Sequence, residues 1–203
     1  MERAERLTPE EERLLLRIAR DALTAHVREG RTLSIEAYPL TEALREKRGA
    51  FVTLHAGRDL RGCIGSIVNR TPLAEAVRDN AVNAAAHDFR FAPVTAAELS
   101  GIRIEISALA PGDAPETPFK RVRDVSEIVI GRDGLYIERP GSRGGLLLPQ
   151  VAAERGWSVE EFLRAVCQKA GYPEDAWSRA DARLCRFSAQ VFAESSPSSE
   201  AAS

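Results

Sequence analysis

The sequence predicts an α+β fold: a mixed, mostly antiparallel sheet flanked by helices. Three observations lead there. Helical and strand patterns are interleaved along the chain. Several adjacent strand candidates are separated only by turn signals, which join antiparallel neighbours, whereas a parallel pair needs a longer crossover. And 203 residues suit one large domain, or one domain with two lobes, that buries roughly 70% of its unfolded surface without disulfide or metal support.

Each element has its own signal. Thr8-Pro9-Glu10-Glu11 opens the first helix. Threonine caps, proline suits the first helical position, and acids favour the positive end of the helix dipole. Leu15, Ile18, Ala19, Ala22 and Val27 recur at helical spacing up to Gly30. Residues 41–48 read as a short helix. Phe51–His55 reads as a strand, Gly57-Arg58-Asp59 as a turn, and Leu60–Ile67 as the returning strand. Pro72 starts a second helix, capped by Thr71 and rich in alanine, which ends near His87-Asp88. Many alanines in a row of turns suit close packing against a sheet.

Pro93 keeps Phe89–Pro93 out of helix. Thr95 and Glu98 match a capping box for one or two turns that Gly101 ends, and Ile102–Leu109 alternates as a half-buried strand. The proline-bearing segment 111–118 is the best internal break. Ile128–Ile130 and Leu135–Ile137 flank Gly131-Arg132-Asp133-Gly134, a hairpin signal. Gly144–Leu148 reads as another strand and Gln150–Arg155 as a helical turn or two. Ser158 and Glu161 form a second capping-box match, opening a helix that ends at Gly171. Leu184–Phe192 alternates as the last strand. The folded part spans residues 9–194, and the serine-rich tail 195–203 is expected to be disordered.

Composition narrows the function classes. The net charge is −2 and the isoelectric point near 6.0, so no nucleic-acid partner is expected. The chain starts with charged residues and has no run of about 18 apolar ones, so neither a signal peptide nor a membrane span is expected. Three cysteines, Cys63, Cys167 and Cys185, lie far apart with no CxxC pair. That argues against a disulfide framework and a structural zinc site, and for a reduced, cytoplasmic setting. The three histidines, His26, His55 and His87, show no metal-ligand spacing, so no metal site is expected.

The chemistry-bearing stretch is Leu60-Arg61-Gly62-Cys63-Ile64-Gly65. Glycines on both sides of a thiol remove side-chain bulk, letting another backbone or a ligand approach. Cys63 is the candidate nucleophile or redox thiol, with Arg61 positioned to lower its pKa if the side chain folds back. The other reading is a small buried residue packed under the alanine-rich helix, since free cysteine is among the most buried residue types. Cys63, His87 and Asp88 have the residue types of an activated nucleophile, and only geometry decides whether they converge. Asp88 and Arg90 form either a structural pair or a ligand clamp, since the guanidinium fork matches carboxylate or phosphate. Gly62, Gly65, Glu105 on the polar face of its strand, and Gln150 after Pro149 complete the candidate ligand-binding set. The run Gly141-Ser142-Arg143-Gly144-Gly145 has the composition of an anion-holding loop but no Walker or Rossmann signature, and reads as a hairpin turn.

The hexapeptide Leu60–Gly65 resembles the signature of the AMMECR-type domain. Gly49–Leu54 before it, Asp88-Phe89-Arg90-Phe91-Ala92-Pro93, Ile104-Glu105-Ile106-Ser107, Gly145–Val151, Gly156-Trp157, Phe162-Leu163 and Lys169-Ala170-Gly171 follow the same family in order. Together they cover roughly residues 14–194. The resemblance implies an α+β fold with two lobes and a cleft near the hexapeptide. It also implies two partners, a Memo-like protein similar to class III extradiol dioxygenases and a radical S-adenosylmethionine protein. It supplies no cofactor and no reaction. Two functional expectations follow: a small-ligand-binding or adaptor component, and an enzyme using Cys63 as nucleophile or redox thiol.

Overall fold

The computed structural model describes residues 6–68, 70–114 and 117–195. The charged start 1–5 and all of the expected disordered tail beyond Ser195 lie outside the described residues. Five α-helices accompany an antiparallel sheet of seven strands: α1 Pro9–Glu29, α2 Glu42–Arg45, β1 Ala50–Ala56, β2 Asp59–Ser66, α3 Leu73–Ala86, β3 Ile102–Leu109, β4 Lys120–Arg121, β5 Asp133–Glu138, β6 Gly145–Leu147, α4 Pro149–Arg155, α5 Val159–Lys169 and β7 Arg183–Ala193. The strand order is β2-β1-β3-β7-β5-β6, with β4 on β7. The α+β class is as expected, and the described ladders are antiparallel rather than mixed.

The chain divides into two compact units, the first running to Ala108 and resuming at Gln190, the second running from Leu109 to Ala189. In the first unit, α1 has the cap its sequence calls for. Thr8 accepts the Glu11 N–H, and the Glu11 carboxylate accepts the Thr8 N–H in return. Leu15, Ile18 and Leu23 of α1, Leu73 and Val77 of α3, Val52 and Leu54 of β1, and Ile104 and Ile106 of β3 form its core. Helix α3 begins differently from the expectation. Pro72, not Thr71, occupies the cap position and no side chain caps the helix. The Leu73 N–H is instead taken by the Glu46 carbonyl, N···O 2.9 Å, so the chain leaving α2 does the capping.

The residue that follows β7 is tied into this unit through its carboxylate. Glu194 accepts the Ile104 N–H at 2.9 Å and pairs with both Nε and Nη2 of Arg20, which also donates to the Leu99 and Ile102 carbonyls. Both side chains are about three-quarters buried, with 27% and 24% exposed. Glu194→Ala is therefore expected to cost about 1–3 kcal/mol, the value of charge-assisted bonds plus a stranded N–H, read as a lower urea midpoint at unchanged m. A midpoint equal to that of the parent chain would refute it.

In the second unit, Leu135 and Ile137 of β5 pack against Phe162, Leu163 and Val166 of α5. Ser158 and Glu161 cap α5 reciprocally, as their spacing predicts. The hairpin expected around residues 131–134 does not form. Ile128–Ile130 is not a strand, because the buried Asp133 carboxylate accepts the Val129 N–H at 2.9 Å and pairs with Arg132. That bond closes a turn locally, and β5 finds its partners later in the chain, in β6 and β7.

Candidate functional site

The hexapeptide lies on β2, the outermost strand in the sheet order. Its neighbour β1 alternates strictly, with Ala50, Val52 and Leu54 buried against the helices and Phe51, Thr53 and His55 on the opposite face. The register places Cys63 opposite Thr53, and Thr53 opposite Glu105 on β3. Cys63, Thr53 and Glu105 therefore form one row on the face away from the helices. His55 and Arg103 form the next row, paired across β1 and β3. All five are half-buried.

Cys63 is held from three sides. Its N–H, pointing out of the open edge of β2, donates to Asp88 Oδ2 at 2.8 Å. Its carbonyl accepts from Arg90 Nη2 at 3.4 Å. Its sulfur receives the Thr53 hydroxyl at 3.4 Å. Asp88 and Arg90 thus do for Cys63 what an adjacent strand would do, offering an acceptor and a donor to one residue. Asp88 follows the last turn of α3, its side chain only 2% exposed, and accepts Arg90 Nε at 2.9 Å and Nη2 at 2.6 Å. The bidentate guanidinium, then the N–H of Cys63, hold the Asp88 carboxyl well below the usual carboxylate range despite burial. In this geometry the Asp88–Arg90 pair holds the backbone of Cys63, and the Arg90 side chain remains 44% exposed.

The two glycines of the hexapeptide are filled positions. A Cβ on Gly62 would stand 2.2 Å from the Ala84 carbonyl oxygen of α3, and one on Gly65 would stand 2.3 Å from the Phe51 ring. The close approach they permit is that of protein atoms. Alanines at positions 74, 76, 81, 84 and 85 of α3 are buried, which is what brings the helix backbone onto β2.

Arg61 does not reach Cys63. The pairing register slips between Leu54 and His55, leaving Arg61 as the extra residue of a β-bulge. Its guanidinium goes to Glu98, with Nε–Oε1 2.7 Å and Nη2–Oε2 3.3 Å, and stands over the Phe91 ring. Arg61, then the Thr95 N–H and hydroxyl, pull the Glu98 carboxyl down to about 2. Only half of the expected Thr95–Glu98 box forms: the Glu98 carboxylate accepts the Thr95 N–H and hydroxyl, the Glu98 N–H goes to the Thr95 carbonyl at 3.1 Å, and a single 3-10 turn at Leu99–Gly101 follows. His87 ends α3 as an exposed cap residue and takes no part in the bonds that fix Asp88. Gln150 is half-buried in the first turn of α4, in the second unit. The thiols of Cys167 and Cys185 are buried, and burial pushes both up.

The structure adds Thr53, His55 and Glu98 to the residues singled out from the sequence. Register alone places the first two beside Cys63 and Glu105, and a β-bulge turns Arg61 to the third. His55 Nε2 lies 3.8 Å from Glu105 Oε2, an ion pair when the ring is protonated. Two buried polar atoms here, His55 Nε2 and Arg61 Nη1, have no hydrogen-bond partner among the described residues. No group of three or more His, Cys, Asp or Glu among the described residues is arranged to hold a metal ion. No helix there is long and apolar enough to cross a membrane.

Comparison with known proteins covers nearly the whole chain. The AMMECR1 family model matches residues 16–192. Protein MJ0810 of Methanocaldococcus jannaschii is 44% identical over 196 residues, 96% of this chain and 95% of that protein. A Thermococcus onnurineus protein is 46% identical over 189 residues, 90% of each. The crystal structure of the uncharacterized protein PH0010 from Pyrococcus horikoshii superposes with a TM-score of 0.83 at 36% identity, covering 94% of this chain and 95% of that one.

Proposed function

The chain belongs to the AMMECR1 family, and from that premise we propose that it is a small-ligand-binding or adaptor component. It would work with a Memo-like protein and a radical S-adenosylmethionine protein, the partners implied by the hexapeptide resemblance, in the cytoplasm. The observations that carry the binding reading are two buried polar atoms of the first unit without partners among the described residues, His55 Nε2 on the sheet face of Cys63 and Arg61 Nη1 of the guanidinium that turns to Glu98. Buried donors and acceptors are nearly always satisfied in native proteins, so such atoms mark where a bound group completes the bonding. The carboxylate and guanidinium that would otherwise activate a nucleophile, Asp88 and Arg90, are occupied in holding the backbone of Cys63.

A second reading rests on one specific feature. The Cys63 thiol is half-exposed on the same sheet face as His55 and Glu105. In that reading Cys63 attacks as a thiolate. The Cys63→Ser variant separates the two. The binding reading expects affinity for the Memo-like protein, measured by titration calorimetry, to stay within about threefold, with output of the reconstituted system retained. A folded variant that binds normally but loses output would establish the enzyme reading instead. Alkylation rate against pH gives an independent check: a thiol titrating at or above about 8.5 has no activation.

A further inference from the structure

The second unit holds a cavity of about 500 Å³ whose wall carries three guanidinium groups, Arg121, Arg139 and Arg183, and two carboxylates, Glu138 and Asp181. Strand pairing assembles it. Arg121 of β4 pairs with Cys185 of β7, Arg183 lies two residues earlier on that strand, and Glu138 of β5 pairs with Arg183. The three side chains therefore share one sheet face. The turn from β5 to β6 adds Arg139 and Ser142.

Two of the arginines are held in place. Arg139 Nε donates to Asp181 Oδ2 at 2.8 Å, and its guanidinium stands 5.8 Å from the centre of the Tyr172 ring. The Tyr172 hydroxyl fixes the same turn, accepting the Arg139 N–H at 3.2 Å and donating to the Arg143 carbonyl at 2.7 Å. Arg183 Nη1 donates to Glu138 Oε1 at 3.1 Å, while Glu138 Oε2 accepts the Tyr136 hydroxyl at 2.7 Å. Each lining carboxylate is thus matched to one arginine. Among the lining residues the third arginine is Arg121, whose backbone N–H donates to the Asp113 carboxylate at 3.0 Å.

We propose that this cavity binds a small phosphate ester. A preorganised guanidinium loses little freedom on binding, and its planar fork matches phosphate oxygens. A tetrahedral dianion presents three oxygens in different directions, which suits two guanidinium groups on a sheet face and a third on the adjoining turn, whereas a carboxylate presents two in one plane. A volume of about 500 Å³ leaves room for the organic part of the ester. Gly141 and Ser142, the start of the run Gly141–Gly145, line the cavity, with Gly141 at φ +74° to make the turn. The assignment is independent of the reading given to the sheet face of the first unit.

A nuclear magnetic resonance titration of the full chain tests it, with inorganic phosphate and a sugar phosphate as probes and succinate and chloride at matched ionic strength as controls. Saturable shifts are expected at the amides of Gly141 and Ser142 and at the arginine Nε–H groups, with a Kd on the order of 1 mM or tighter for the sugar phosphate. Arg121→Ala, at an exposed side chain outside the core, should weaken binding by about tenfold at an unchanged unfolding midpoint. Arg183→Lys, which keeps the charge and loses the fork, should weaken it by a smaller factor. Binding should tighten between about pH 5 and 7 as the ester takes its second charge. Linear shifts of equal size for all four anions, or an Arg121→Ala variant with parental affinity, would overturn the site. Tighter binding of succinate than of either phosphate would overturn the ligand class.

Discussion

Asp88→Ala is expected to destabilise the native state by about 2–4 kcal/mol. The carboxylate takes the Cys63 N–H, the Arg90 N–H and two nitrogens of the Arg90 guanidinium, and is almost wholly buried. Its loss strands the Cys63 N–H at the protein surface's inner margin and removes charge-assisted bonds, each worth about 1.5–3 kcal/mol. Arg90 is 44% exposed and regains water, so the guanidinium adds little to the cost. Asp88→Asn keeps an acceptor and should lose roughly half as much. The pH dependence separates charge from shape. The native carboxyl titrates below its unfolded value of about 3.9, so the stabilisation is complete above that value and fades as pH falls below it toward the native one. Urea midpoints of the parent and Asp88→Asn chains should differ equally at pH 7 and about 5.5, and the gap should have begun to narrow by about pH 3. A gap that stays constant down to pH 3 would contradict the assignment.

Gly62→Ala is expected to cost about 3 kcal/mol or more, at the upper end for overpacking. The new Cβ would meet the Ala84 carbonyl oxygen at 2.2 Å and its carbon at 3.1 Å. Both obstacles are backbone of a helix packed into the core, so neither can rotate away. A second substitution makes the prediction specific. Ala84→Gly removes a side chain but leaves the carbonyl, so the double variant should be no more stable than Gly62→Ala alone. Thermal unfolding reads both, and a Gly62→Ala chain within about 0.5 kcal/mol of the parent would rule out the close contact.

Features set by neighbours in sequence were legible in it. The caps of α1 and α5, the alternation in the first half of β3 and the turn at Gly57 each follow from residues within a few positions of one another. By contrast, β3 is buried on both faces from Ile106 to Leu109, and β7 reverses its expected faces at the end, burying Gln190 in bonds to Leu7 and exposing Val191. What failed was long-range. Gly131–Gly134 carries a hairpin signal, yet Asp133 turns back to Val129 and β5 pairs with β7, about fifty residues on, a choice made by burial and not by turn composition. The site shows the same divide. Cys63, Asp88, Arg90 and Glu105 could be singled out because their residue types are unusual in context. His55 could not, because its place beside Glu105 depends on the register of β1 against β3. Arg61 was expected near the thiol, and a one-residue bulge sends it to Glu98 instead.

The Asp88–Arg90 fork has a bearing on solubility. An outermost strand offers unpaired N–H and C=O groups on which a second chain can add, the usual start of edge-to-edge aggregation. At Cys63 both outward groups are already taken, one by a carboxylate and one by a guanidinium, on side chains rather than on a strand. An incoming strand would have to displace an ion pair and then match a bulged neighbour at Arg61. The devices that fix the backbone of Cys63 therefore also obstruct strand addition at this point of the sheet edge.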